Sequence, residues 1–252
     1  MSLANRWINR GLVAAWRWAE RRGEIVPGTH AGDRFGSLGE GSAIGFPMAT
    51  LMNPGSIHVG SGALIGRHVT LSVGYGPGAP NLPERGLVIG DRCIIGARSS
   101  LTAHRSIVLG DDVWFGQDVF VCDSSHGYQD PEVPIGCQLG EHQPVEIGSG
   151  SWLGHGAIVL PGTRLGRNVV VAAGSVVRGE VPDNAVVGGS PARPLRRFEP
   201  EVGWVSERGH VRPILRGMEQ LEALEALEAL EREIEQGAQQ GSDDDDRPAL
   251  AH

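Results

Sequence analysis

Over residues 145–197 a single apolar position returns every six residues, at Ile147, Leu153, Val159, Leu165, Val171 and Val177. Gly148, Gly154 and Gly166 directly follow three of these anchors, and Ser151, Ala157, Thr163, Val169 and Ser175, all small or β-branched, come four places after an anchor. One apolar residue in six is too sparse for the stripe of an amphipathic helix. It does not alternate as a half-buried strand does either. It suits a coil of three short flat faces, each six residues long, with one side chain per face pointing at the axis. A hexapeptide period of this kind predicts a parallel β-helix. The glycines are expected to supply the corner backbone, since positive φ costs them little.

The same spacing appears earlier, at Val59, Ile65 and Leu71, at Ile89, Ile95 and Leu101, and at Leu109, Phe115 and Val121. A slip of two residues separates Ile107 from Leu109. Residues 27–53 are irregular, with Phe35, Leu38 and Ile44 as expected inward positions of an imperfect first turn. Two stretches break the pattern. Residues 74–86 are too rich in Gly and Pro to continue a face, and read either as a loop closing over a substrate or as a tolerated insertion. Residues 123–144 form the second break, and long loops on a rigid scaffold are where function concentrates.

The ends read as helices. Residues 4–22 carry Trp7, Ile8, Leu12 and Trp16 at helical spacing, with arginines on the other side. That helix is expected either to cap the open end of the coil or to lie on a membrane surface. Residues 199–216 have no clear pattern. Residues 217–236 predict a second helix with Leu221, Leu224, Leu227, Leu230 and Ile234 in a drifting stripe, and the acidic tail over 238–252 reads as disordered. The expected division is a helix over 1–26, the β-helix over 27–198, an extension with a helix over 199–237, and the tail.

Composition narrows the function. The net charge is −8, but the acids are concentrated after residue 218, which leaves the rest close to neutral and offers no nucleic-acid surface. All 22 basic residues are arginine. Cys93, Cys122 and Cys137 are odd in number and lack C-x-x-C spacing, so a reducing compartment is favoured over a disulfide framework or zinc ribbon. No apolar run reaches membrane-spanning length and no signal peptide is visible, so a cytoplasmic protein is expected.

Within the second break lies His126, flanked by Asp123, Tyr128 and Asp130. Taken alone, a histidine in a polar loop is either solvated or a general base. The surrounding motifs say more: D-x-x-H-x-x-x-D at Asp123, His126 and Asp130, then I-G-x-x-x-W-[IL]-G from Ile147 to Gly154. L-P-G follows at Leu160 to Gly162, A-G-S-V-V at Ala173 to Val177, and G-x-P-A-[RK] at Gly189 to Arg193. In this order and spacing, over about residues 57–197, the chain resembles the hexapeptide acyltransferases, which fold as a left-handed parallel β-helix. It is most similar to their branch of maltose and galactoside O-acetyltransferases and polysaccharide-modifying acetyltransferases.

The resemblance implies that His126 takes the proton of an acceptor hydroxyl as it attacks a thioester, a task an imidazole suits because its pKa lies near working pH. It implies a donor of acetyl-CoA or another short acyl-CoA and no metal. Trp152, His155, Ala173 and Arg178 would line the donor groove, and Arg193 and Arg196 would meet the nucleotide phosphates. Asp123 would orient the ring of His126 or hold the loop, the plain alternative being a turn-forming residue, with Tyr128 and Asp130 on the acceptor side. The implied acceptor is a hydroxyl of a sugar or oligosaccharide, and the implied assembly is a homotrimer with each groove completed by a neighbour's histidine loop. Some relatives carry an Asn that assists the acceptor or the oxyanion; counting back from His126 reaches Gly96 and Arg98 instead, so no oxyanion donor is assigned.

Other readings share the fold. A sugar N-acetyltransferase or xenobiotic acetyltransferase would use the same base, whereas a serine acetyltransferase needs a larger helical domain than residues 1–56 allow. A γ-type carbonic anhydrase would bind metal through three histidines across a subunit interface; His104, His126 and His155 are available, but that family's closely spaced pair is missing. A non-catalytic scaffold would need neither the histidine loop nor the arginine-ended groove.

Overall fold

The computed structural model of the chain describes residues 3–214; the helix expected over 217–236 and the acidic tail lie outside the described residues. The chain enters through α1 (Leu3–Gly23) and then winds into a three-sided coil. The first turn is β1 (Ser37–Leu38), β2 (Ala43–Ile44) and β3 (Thr50–Met52), and the second is β4 (Ile57–Val59), β5 (Leu64–Ile65) and β6 (Thr70–Val73). After an excursion come β7 (Leu87–Ile89), β8 (Ile94–Ile95) and β9 (Ser100–Ala103), then β10 (Ile107–Leu109), β11 (Trp114–Phe115) and β12 (Phe120–Cys122). A second excursion holds the hairpin of β13 (Ser124–His126) and β14 (Leu139–His142). The coil resumes with β15 (Val145–Ile147), β16 (Trp152–Leu153) and β17 (Ile158–Val159), followed by β18 (Arg164–Leu165), β19 (Val170–Val171) and β20 (Val176–Val177). A shorter last turn has β21 (Glu180–Val181) and β22 (Ala185–Gly189).

Each face is a parallel sheet built from every third strand of the coil. Leu153 pairs with Val171, so one turn of the coil is three hexads. The anchors stack in an apolar column, with Leu71, Leu101, Leu153, Val159 and Val171 fully buried. Buried hydroxyls at the small positions join one turn to the next. Ser151 Oγ donates to the Gly166 carbonyl and accepts from the Val169 N–H, both at 3.1 Å, so its burial leaves no polar atom unmatched.

The corner glycines play a different part from the one expected. Gly148 does not have positive φ; a Cβ there would collide with the carbonyl of Gly166 in the next turn. The left-handed corner lies two residues later, at Gly150, and in other turns Arg92, Asp112 and Asn168 adopt it. The glycine after an anchor is therefore fixed by the close approach of successive turns.

Both excursions leave from the same edge, where the third face passes to the first. The two-residue slip is there too: β9 ends at Ala103, β10 starts at Ile107, and Ile89 pairs with Leu109 across a turn two residues longer than three hexads. The other two edges stay regular and carry corner-to-corner ladders, such as Arg92 on Asp112 (2.7 and 2.8 Å) and Arg98 on Asp118 (2.7 and 2.8 Å). These pairings hold Asp112 and Asp118 below the usual carboxylate range, the arginine hydrogen bond being the main cause.

The ends differ from expectation. The apolar stripe of α1 does not cap the coil; residues 4–18 are all exposed, and the coil meets the helix near its C-terminus. There Glu20 pairs with Arg67 at 2.7 Å, and Gly23 lies against the ring of Phe46. At the other end, part of the stretch without a pattern is strand. β23 (Ala192–Glu199), β24 (Gly203–Ser206) and β25 (Val211–Arg212) extend the second face in antiparallel fashion, so the expected boundary at 198 falls inside β23. The three cysteines are unpaired: Cys93 is buried among the anchors, where desolvation pushes its thiol up to about 11, Cys122 is half-buried and Cys137 is exposed.

Candidate active site

The edge between the third and first faces gathers the polar groups that the coil itself has no use for. Asp123 is fully buried where the second excursion begins, and its carboxylate accepts the backbone N–H groups of His104, Arg105 and Ser106 at 2.7–2.8 Å. These are the residues of the two-residue slip. Asp123 thus closes the widened corner, and among the described residues it makes no hydrogen bond to His126. In this chain its carboxylate holds the base of the loop and is spent on backbone amides. Gln143 N–H on the Asp123 carbonyl, at 2.8 Å, ties the far end of the excursion to the same point.

Next to this corner is a cluster that the sequence reading missed. His104 and His142 stack with centroids 5.1 Å apart and planes 15° apart. Tyr75, from the first excursion, sets its ring edge-on to His104 at 4.6 Å and hydrogen-bonds His142 Nε2 through its hydroxyl. Asn53 holds the base of that excursion, donating to the carbonyls of Val73 and Gly76 and accepting from the Gly78 N–H. The 74–86 segment is therefore fastened to the second excursion and is not a free insertion. Burial lowers the pKa of His104, and neighbouring His142 lowers it further, against an opposing pull from Asp123. Its Nδ1 lies 3.7 Å from Asp123, beyond hydrogen-bond reach, and is buried without a partner. The only trace in the sequence is the slip itself, which marks an extra corner but not what fills it.

His126 sits at the end of β13, opposite Leu139 of β14 across a bulge in the hairpin. Its ring is exposed, and no described residue hydrogen-bonds it. It lines an open cleft of about 460 Å³ together with Tyr128, Glu141, Leu160 and Arg178. Asp130 does not join them. It is exposed and turns inward on its own loop, accepting the Glu132 N–H at 3.0 Å, so the acceptor-side role implied for it has no geometric support in this chain.

The residues implied for the donor fall in two further places. Arg178 also borders a groove of about 570 Å³ with Arg193, Arg196 and Arg197 beneath β23 and β24. Arg196 Nη1 is buried there with no hydrogen-bond partner among the described residues, an unmet donor of the kind a phosphate oxygen satisfies. Arg197, by contrast, is engaged by Glu199 at 2.6 Å. Trp152 is on the outer side of the second face, paired in register with Trp114. His155 and Ala173 follow each other along the edge from the second to the third face, where Gly174 N–H donates to the His155 carbonyl at 2.8 Å and His155 Nδ1 is 3.5 Å from Asp118. In one subunit the third face separates this edge from His126. Among the described residues no three His, Cys, Asp or Glu side chains are grouped to hold an ion.

Comparison with known proteins decides the family. The description "Bacterial transferase hexapeptide (six repeats)" matches residues 144–179, and "Hexapeptide repeat of succinyl-transferase" matches 86–115. The chain is 32% identical over 158 residues to the putative lipopolysaccharide biosynthesis O-acetyl transferase WbbJ of Escherichia coli, covering 60% of this chain and 76% of that one. It belongs to the hexapeptide-repeat acetyltransferases. This acetyltransferase is also 37% identical over 99 residues to a galactoside O-acetyltransferase of Lactococcus lactis, spanning 39% of its own length and 47% of the relative's. Among solved structures, it aligns with AntD, an N-acyltransferase from Bacillus cereus in complex with dTDP and coenzyme A. The TM-score is 0.55 and the identity 20%, over 66% of this chain and 86% of that one, a likeness of fold. The coil is thus the left-handed parallel β-helix, and the protein is an enzyme, an acetyltransferase.

Proposed function

We propose that the enzyme moves an acetyl group from acetyl-CoA to a hydroxyl of a sugar or glycoconjugate, with His126 as general base. The observation that carries this is an exposed imidazole with no internal partner, in a cleft that shares Arg178 with an arginine-lined groove. The acceptor oxygen attacks the thioester carbonyl carbon as His126 removes its proton. The carbon–sulfur bond then breaks, and the proton passes to the coenzyme sulfur, leaving ester and free thiol with no acyl-enzyme. Arg193 and the unmet Nη1 of Arg196 are suited to the coenzyme phosphates. Relatives named for lipopolysaccharide biosynthesis and for galactosides support a carbohydrate acceptor.

The separation of Trp152, His155 and Ala173 from His126 within one subunit supports a site shared between subunits, hence a homotrimer. Trp114, Trp152 and Leu139 are apolar, exposed and available for such contacts. Unpaired cysteines and a coenzyme A donor support a cytoplasmic location. The test is free-thiol release from acetyl-CoA with a panel of sugars, oligosaccharides and amino sugars. His126→Ala should lose turnover on the accepted hydroxyl compound while keeping its oligomeric state. Turnover within a few-fold of the parent would remove His126 as the base.

A further inference from the structure

We infer that α1 is an in-plane membrane anchor that seats on an anionic lipid surface. At about 100° per residue, Trp7, Trp18, Ile8, Leu12 and Trp16 fall within one half of the helix circumference. Arg6, Arg10, Arg17 and Arg21 fall within an arc of about 60° on the other half, and Arg22, in the last turn, falls on the apolar side. The apolar half is bare: Trp7 is 66% exposed, Ile8 62%, Leu12 65%, Trp16 53% and Trp18 61%. No described residue of the coil covers it; the coil meets the helix at Glu20 on Arg67 and at Gly23 against Phe46. An amphipathic helix with tryptophans on one side and arginines on the other lies in the plane of a bilayer, rings among the headgroups and acyl ends, guanidiniums on the phosphates.

Charge selects this occupant over a second copy of the helix. α1 has five arginines and one acid, Glu20, and that acid is already paired with Arg67. Two such helices packed through their apolar halves would gather ten arginines around one pair with no free acid to offset them, whereas anionic headgroups complement that charge. The helix does not cross: no described helix is long and apolar enough to span a membrane. Anchoring in this way would hold the coil against a bilayer and favour acceptors carried at its surface.

The experiment is flotation of the full-length protein with vesicles of phosphatidylcholine alone, or of phosphatidylcholine mixed with phosphatidylglycerol, at low and high salt. The protein should float with the anionic vesicles, bind the neutral ones at least about tenfold less, and be released by salt. Replacing Arg6, Arg10, Arg17 and Arg21 by Gln should weaken partition about fivefold per charge. Replacing Trp7, Trp16 and Trp18 by Ala should weaken it at least about tenfold. Both variants should keep their light-scattering mass and their rate on a soluble acceptor, because α1 touches neither the cleft nor the groove. The inference fails if the parent protein stays unbound to anionic vesicles at low salt, or if either variant floats as well as the parent. It also fails if the tryptophan variant falls apart to a smaller species, which would assign the apolar half to a second copy. Should that variant not fold, the arginine variant alone decides the matter.

Discussion

Two edges of the same prism make opposite use of the chain. Where the second face passes to the third, each turn repeats the last: a left-handed corner at Arg98, Asp118, Gly156 and Gly174, with Arg98 laid on Asp118 in solvent. Where the third face passes to the first, the repeat is broken by two excursions and a widened corner, and the break is filled by a buried carboxylate, two stacked imidazoles and a phenol. A regular edge satisfies its backbone with the next turn and leaves nothing over. An interrupted one must find partners elsewhere, and the side chains recruited for that purpose fasten the base of the excursion that carries His126.

This contrast can be broken experimentally. The largest effect should come from His126→Ala, with kcat lower by about 10²–10⁴-fold and thermal unfolding unchanged, because no described residue hydrogen-bonds that ring. Unfolding that shifts along with kcat would mean the loop depends on it. Asp123→Ala should act the other way round, costing about 3–5 kcal/mol in chemical denaturation, since three backbone N–H groups lose their acceptor. Tyr75→Phe, which removes one hydroxyl between the two excursions, should cost about 1 kcal/mol and raise the acceptor KM more than it lowers kcat.

A pH effect should follow from the same cluster. His104 is held neutral by burial, with its pKa below the ordinary value. The unfolded chain therefore takes up a proton first, and stability should fall as pH drops through about 6.5 toward the folded-state pKa. His104→Gln should flatten that part of the stability profile; an unchanged slope would point to another group. The smallest effect belongs to the regular edges. Arg92→Ala removes an exposed ladder pair and should move Tm by no more than about 2 °C.

The coil was legible because its rule is local: one anchor in six, with a small residue four places on, needs no knowledge of distant contacts. Cys93 and Ser151 fit that rule, and both are buried as it requires. His126 was legible only through the motif around it. Tyr75, His104 and His142 were not, because they come from three separate stretches, and only the stacking of turns brings them together. Asp123 shows the same limit. The motif marks the residue, but its partners are main-chain amides of the preceding turn, which carry no signature in the sequence. The stripe on α1 was legible as apolar, but its two readings, a cap on the coil or a membrane surface, could not be told apart from the pattern. A helix reports that it has a face to cover, not what covers it.

The unequal surroundings of the three thiols have a practical consequence. Cys93 is sealed in the apolar column with its proton firmly held, and Cys122 is half-covered, while Cys137 stands in the open on the loop between β13 and β14. At neutral pH a maleimide dye should select Cys137 in the unaltered protein, setting a fluorescent reporter on the segment that carries the imidazole, ready to follow its motion as ligands arrive.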